Sequence, residues 1–148
     1  MGSTTNLSPD PDPMGELSAM ETLPVLVVDD QAPFRSAAKA VVGRVEGFSV
    51  VGEAVDGEQA VAMASELQPA LVLMDINMPG MSGVEATRRI VATQPDTVVI
   101  LCSTYNPQDL PPDASTSGAL AYVNKEEFGP SELKRIWAER DTIGFLPG

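Results

Sequence analysis

The chain has 148 residues, 43% of them hydrophobic, which suits one well-packed domain and hardly two. Its 21 Asp and Glu against 9 Lys and Arg leave a net charge of −12, which argues against nucleic acid or an anionic membrane as the main partner. With no His and a single Cys, Cys102, it has no His-based acid–base chemistry, no His-liganded zinc, no disulfide framework and no CxxC site.

Residues 1–22 read as an acidic leader. They hold Pro9, Pro11 and Pro13, four acids and no base. Such a composition buries too little apolar surface to order itself, and it lacks the basic and apolar segments of a secretory signal. From Leu23 the pattern changes. Pro24–Val28 is a β-branched apolar run ending in two acids. Phe34, Ala38, Val41, Val42 and Val45 then fall on one helical face, with Pro33 in the first turn. Phe48–Ala54 is a weaker second strand. Asp56 and Gln59 open a second helix as a capping box, with Ala60, Val61, Ala64 and Leu67 on one face and Pro69 at its end. Ala70–Met74 is a third strand, ending at Asp75. Ser82 and Glu85 form another capping box for a helix carrying Val84, Thr87 and Val91. Thr97–Cys102 is a fourth strand and Leu120–Val123 a short fifth. A last helix opens at Gly129–Pro130 and packs through Leu133, Ile136 and Trp137. Between Tyr105 and Gly118, Pro107, Pro111 and Pro112 predict a fourth helix that is short or irregular. No apolar run approaches the ~20 residues of a membrane span. Strands alternating with helices imply right-handed βαβ units and a parallel sheet.

In open α/β sheets, ligands sit at the carboxyl ends of the strands. There the sequence places Asp29 and Asp30 after the first strand and Asp75 after the third. Ser103 and Thr104 follow the fourth, and Lys125 the fifth. Three carboxylates so placed repel one another unless a cation joins them. Mg²⁺ suits such a set, being a hard cation that takes oxygen ligands and often works beside phosphate. A carboxylate near Mg²⁺ and Lys125 can then act as a nucleophile toward phosphorus, giving an aspartyl phosphate. Ser103 is favoured over Thr104 as the hydroxyl that meets a phosphoryl oxygen.

The stretches VLVVDDQ (25–31), LVLMDINMPGMSG (71–83), the strand-end Ser103 and AYVNK (121–125), in this order, resemble the receiver domain of bacterial two-component response regulators. The resemblance covers residues 23–140, leaving the leader 1–22 and a short tail 141–148. It implies a flavodoxin-like, doubly wound five-stranded parallel sheet in the order 2-1-3-4-5, with helices on both faces. It also implies that Asp75 is the phosphoacceptor and that Asp29, Asp30, Asp75 and the carbonyl of Asn77 hold Mg²⁺. Ser103 would be the switch hydroxyl, Lys125 the partner of the phosphoryl oxygens, and Tyr122 the aromatic that turns inward on activation. Asn77 and Tyr105 match positions that tune phosphate loss. The implied donor is a histidine kinase or a His phosphotransfer protein, and the implied output is a downstream protein. Neither DNA binding nor membrane contact is implied, and the state would be a monomer or a phosphorylation-dependent dimer. A cytoplasmic, stand-alone receiver is expected. It would be no enzyme beyond Mg²⁺-dependent self-phosphorylation and slow self-dephosphorylation. Lys125 is followed by Glu126, where many receivers have Pro.

Plainer readings exist for single residues. Asp29 and Asp30 alone would cap a helix, Lys125 alone would be a solvated lysine, and Tyr122 would be a core aromatic. Cys102 reads as a small buried hydrophobe, and Trp137 as core cover or, if exposed, an interface marker. Two other functions compete. One is a receiver-fold interaction module that works without phosphorylation. The other is an aspartate-nucleophile phosphatase with a D-x-D pair, which Asn77 argues against because an amide cannot shuttle protons.

Overall fold

The computed structural model describes residues 22–141 and 146–147; the leader expected over 1–22 lies outside them except for Thr22. Seven strand-and-helix units follow the apolar runs closely. They are β1 (Leu23–Val28), α1 (Ala32–Gly43), β2 (Phe48–Ala54), α2 (Gly57–Leu67), β3 (Leu71–Asp75), α3 (Gly83–Thr93) and β4 (Val98–Ser103). After a 3₁₀ turn at Pro107–Asp109 come β5 (Ala121–Asn124), a second 3₁₀ turn at Lys125–Glu127, and α4 (Pro130–Ala138). The Pro-rich stretch therefore forms one short turn of 3₁₀ helix where a regular helix would need the amide hydrogens that proline lacks.

Strand order is β2-β1-β3-β4-β5, every neighbouring pair parallel, as the resemblance implied. One element lies outside the expected five. Leu146–Pro147, β6, pairs in parallel with Ala121 and Tyr122 on the outer edge of β5. Two residues carry no periodicity, so the sequence offered no signal for it beyond an unpaired edge.

Period-two alternation along the strands splits the core into two layers. Leu26, Val28, Val72, Met74, Val99, Leu101 and Tyr122 pack with Ala60 and Ala64 of α2 and with Val84, Ala86 and Ile90 of α3. Val25, Val27, Leu71, Leu73, Ile100, Cys102 and Val123 pack on the other face with Ala38 and Val42 of α1 and Leu133 and Ile136 of α4. Both faces are covered, which is why β3 is buried throughout.

The helix starts are built by the residues that marked them. Asp56 accepts the Gln59 amide hydrogen at 2.8 Å. Gln59 reaches back to the Val55 amide at 2.9 Å, one residue earlier than the usual reciprocal bond. Ser82 accepts the Glu85 amide hydrogen at 3.2 Å, but the Glu85 carboxylate turns outward to Arg88 and Arg89. That box is thus half closed, because two guanidiniums outcompete one amide for the carboxylate.

Candidate functional site

The chain switches direction across the sheet at β1, which lies between β2 and β3, so the carboxyl ends of β1 and β3 stand side by side. Val28 is level with Met74, and Asp75 with Cys102. The next residues along, Asp29, Asp30 and Asp75, are brought together, with one carboxylate oxygen of each within 4.8 Å of the others. Asp29 is fully buried, Asp75 nearly so, and Asp30 exposed.

Each acid is held differently. The Asp29 amide hydrogen bonds the Ala54 carbonyl, and its carbonyl accepts from Arg35 Nη1 at 2.8 Å. Its Oδ1 accepts the Gln31 amide hydrogen at 2.8 Å, a local turn bond two residues on; no side chain caps α1, whose N-cap is Gln31. Its Oδ2 is the other matter. Lys125 Nζ lies 2.7 Å away, yet no directed hydrogen bond reaches this buried oxygen among the described residues. Asp75 is fixed through its backbone. The following amide, Ile76, donates to the Cys102 carbonyl, and the Ile76 carbonyl accepts from Gly83. Gly83 sits so close that a Cβ there would fall 1.9 Å from the Asp75 carbonyl oxygen. The first residue of α3 therefore has to be glycine if Asp75 is to stand where it does.

Lys125 is the first residue beyond β5. Its Nζ spans Asp29 Oδ2 and Asp75 Oδ1, 3.4 Å from the latter, and lies 4.7 Å from the centre of the Phe34 ring. Phe34 in turn packs on Phe128, so the ammonium rests on an aromatic floor. Glu126, which replaces the common Pro, donates its amide hydrogen to Asn124 Oδ1 at 2.8 Å, a bond that proline cannot make. That bond closes the 3₁₀ turn that starts at Lys125.

Burial pushes the Asp75 carboxyl up to about 6, with Asp29 adding to the rise and Lys125 opposing it. For Lys125, burial works against the charge, but its contacts with Asp29 and Asp75 outweigh burial and raise its pKa. Three carboxylates and one ammonium remain net anionic. A buried oxygen without a directed donor, beside two more carboxylates, fits a hard divalent cation such as Mg²⁺.

The remaining predicted residues gather next to this cluster. Ser103 ends β4 and is buried, whereas Thr104 is exposed. Ser103 Oγ lies 3.0 Å from the Tyr122 hydroxyl and accepts the Tyr105 amide hydrogen at 3.0 Å. Tyr122 is fully buried. Its hydroxyl contacts the carbonyls of Ser103 and Tyr105. Tyr105 Oη donates to Asn77 Oδ1 at 3.3 Å, joining the two expected tuning positions. Cys102 is buried, and burial pushes its thiol up to about 12, so it is inert. Sequence reasoning missed Arg35 and the role of Phe34. Phe34 showed only as one residue of an apolar helix face, and an exposed-looking Arg carried no signal at all.

The chain matches the response regulator receiver domain family over residues 25–137. It is 40% identical over 101 residues to the response regulator GacA of Pseudomonas aeruginosa, covering 68% of this chain and 47% of GacA. It is 38% identical over 109 residues to the chemotaxis protein CheY of Thermotoga maritima, covering 74% of this chain and 89% of that one. The crystal structure of a LuxR-family two-component response regulator from Aurantimonas sp. SI85-9A1 superposes with a TM-score of 0.73 at 30% identity, covering 84% of this chain and 89% of that one. The chain spans about half the length of GacA and most of the length of CheY. A match of that extent, on a sheet of that order, makes the chain a member of the response regulator receiver domain family.

Proposed function

We propose that the chain is the phosphoacceptor switch of a two-component phosphorelay, with Asp75 as the acceptor. The observation that supports this most is the convergence of Asp29, Asp30, Asp75 and Lys125 at one sheet edge, with Asp29 Oδ2 buried and lacking a directed donor. Asp29, Asp30, Asp75 and the Asn77 carbonyl would hold Mg²⁺. When bound, that ion offsets the charge of the acids and of the transferring phosphoryl group. With a pKa of about 6, Asp75 is mostly ionised at neutral pH and offers an oxygen to phosphorus. The new O–P bond forms as the P–N bond of a phosphohistidine breaks, and the P–N electron pair leaves with the imidazole. Lys125 keeps its contact with Asp29 and turns its remaining hydrogens to a phosphoryl oxygen. Ser103 trades its contact with Tyr122 for a bond to the phosphoryl group, which couples Asp75 to the aromatic of β5 and to residues 104–118. Asn77 and Tyr105, bonded to each other, regulate access of water to the acyl phosphate.

The donor in this reading is a histidine kinase or His phosphotransfer protein, and the output a protein that prefers the phosphorylated surface. The chain acts in the cytoplasm and turns over no outside substrate. One observation favours the second reading, a module that signals without phosphate: the Pro-rich stretch between β4 and β5 forms a short 3₁₀ turn at Pro107–Asp109 in place of a regular helix. A small acyl-phosphate donor with Mg²⁺, read by intact mass, separates the two. Gain of one phosphoryl group by the parent and none by Asp75→Asn supports the switch. No gain, together with no binding of beryllofluoride and Mg²⁺, supports the module.

A further inference from the structure

At the opposite end of the sheet from Asp75 lies a groove of about 450 Å³, lined by Arg44, Glu46, Phe48, Lys134, Trp137 and their neighbours. Its floor is aromatic. Phe48 meets Trp137 edge to face at 5.2 Å between ring centres, and the Arg140 guanidinium lies 4.4 Å over the Trp137 ring. Its rim is basic in a strongly acidic protein. Arg35, Lys39, Arg88, Arg89, Lys125 and Arg135 are each ion-paired with a carboxylate. The other three of the nine cations, Arg44, Lys134 and Arg140, have no such partner among the described residues, and all three gather at Trp137. The lining itself holds Arg44 and Lys134 against one acid, Glu46, so the groove is net cationic by one charge.

We infer that this groove is the docking site of the chain's own leader, residues 10–21. Charge and chain continuity both argue for that occupant. The leader carries Asp10, Asp12, Glu16 and Glu21 and no base, and Leu17 and Met20 stand between the last two acids as apolar partners for an aromatic floor. The chain enters β1 beside the groove: the Leu23 amide hydrogen bonds the carbonyl of Gly47, between the lining residues Glu46 and Phe48. Twelve residues of chain span at most about 40 Å, so every leader acid is within reach of the rim. Tethering also supplies an effective concentration near ~1 mM, so weak ion pairs suffice. Nucleic acid is a poor rival for this patch, because the net charge of −12 repels it. The docked leader covers the α1–α4 face, and any protein that reads that face has to displace it. None of this depends on the phosphorylation chemistry.

Trp137 is the chain's single tryptophan, so its fluorescence reports on this groove alone. The test compares acrylamide quenching of the full chain with that of a full-length variant carrying D10N, D12N, E16Q and E21Q. These positions lie outside the described residues. Docking predicts a quenching constant roughly twofold higher in the variant, and the same rise for the parent in high salt, which screens exposed ion pairs. Lys134→Gln should raise quenching in the parent and add nothing in the leader variant, the signature of a coupled pair. A synthetic peptide of residues 7–22 should restore protection to the leader variant. Equal quenching in parent and leader variant would overturn the inference. So would protection that grows with protein concentration, since the occupant would then be a second copy.

Discussion

Replacing Asp75 with Asn should make the metal-free protein more stable at neutral pH. Asp75 is only 4% exposed and carries a pKa of about 6 in the fold, above its ordinary value of 3.8. The sign follows from linkage. A carboxyl whose pKa is raised by folding binds its proton more tightly in the native state. The native state therefore loses stability as pH climbs from about 3.8 to about 6, and the full penalty stands above that window. At ~1.4 kcal/mol per pH unit the penalty comes to roughly 3 kcal/mol at neutral pH. Asn resembles the protonated acid in shape and charge, but it gives up the Lys125 contact, so the expected gain is about 1–3 kcal/mol. Urea denaturation with a chelator present, at about pH 7.5 and about pH 5, measures it. The advantage of the variant should shrink to roughly half at the lower pH, where the native acid is already protonated. A variant no more stable than the parent at neutral pH, or one whose advantage does not change with pH, would refute the account of Asp75 as a buried acid under repulsion.

Mg²⁺ should raise the parent's unfolding free energy in the same experiment by RT ln(1 + [Mg²⁺]/Kd), about 2.7 kcal/mol at a hundredfold excess over Kd, and raise that of Asp75→Asn much less. Lys125→Met leaves Asp29 and Asp75 without their cation and should cost about 2–3 kcal/mol in chelator, most of it recovered on adding Mg²⁺; melting with and without the ion checks this. Gly83→Ala drives a Cβ into the Asp75 backbone and should cost about 3 kcal/mol or more in thermal or urea melts, with acyl-phosphate labelling lost in whatever remains folded. Tyr122→Phe removes a buried hydroxyl shared by Ser103 and the Tyr105 carbonyl; a loss of about 1–2 kcal/mol in urea is expected, with labelling of Asp75 retained.

Much of the molecule was legible in one dimension. Val25–Val28 and Leu71–Met74 are apolar on every residue, which only a strand covered on both faces requires, and each ends in acid. That pattern was enough to place Asp29, Asp30 and Asp75 at one edge and Lys125 near them. Asp56 and Ser82 marked their helix starts because a cap is a local device, made between residues three apart. Cys102 was readable as a small buried hydrophobe because it ends an apolar run, and it is buried.

What stayed hidden depends on contacts between distant residues. Phe34 lies under Lys125 only because α1 and α4 cover the same face of the sheet, and Arg35 meets the Asp29 carbonyl only because the chain turns back between β1 and α1. The need for glycine at 83 comes from the close pass of α3 over the end of β3, a separation no local periodicity encodes. Arg44, Lys134 and Arg140 are spread over almost a hundred residues of chain, and only the folded backbone gathers them around Trp137. The order of apolar and acidic residues settled the class of fold and the chemistry available at its edge, because burial and charge repulsion act on composition and spacing. Tertiary packing decided which oxygen of Asp29 meets Lys125, which way Tyr122 faces and where Arg44, Lys134 and Arg140 meet, because these depend on register and crossing geometry.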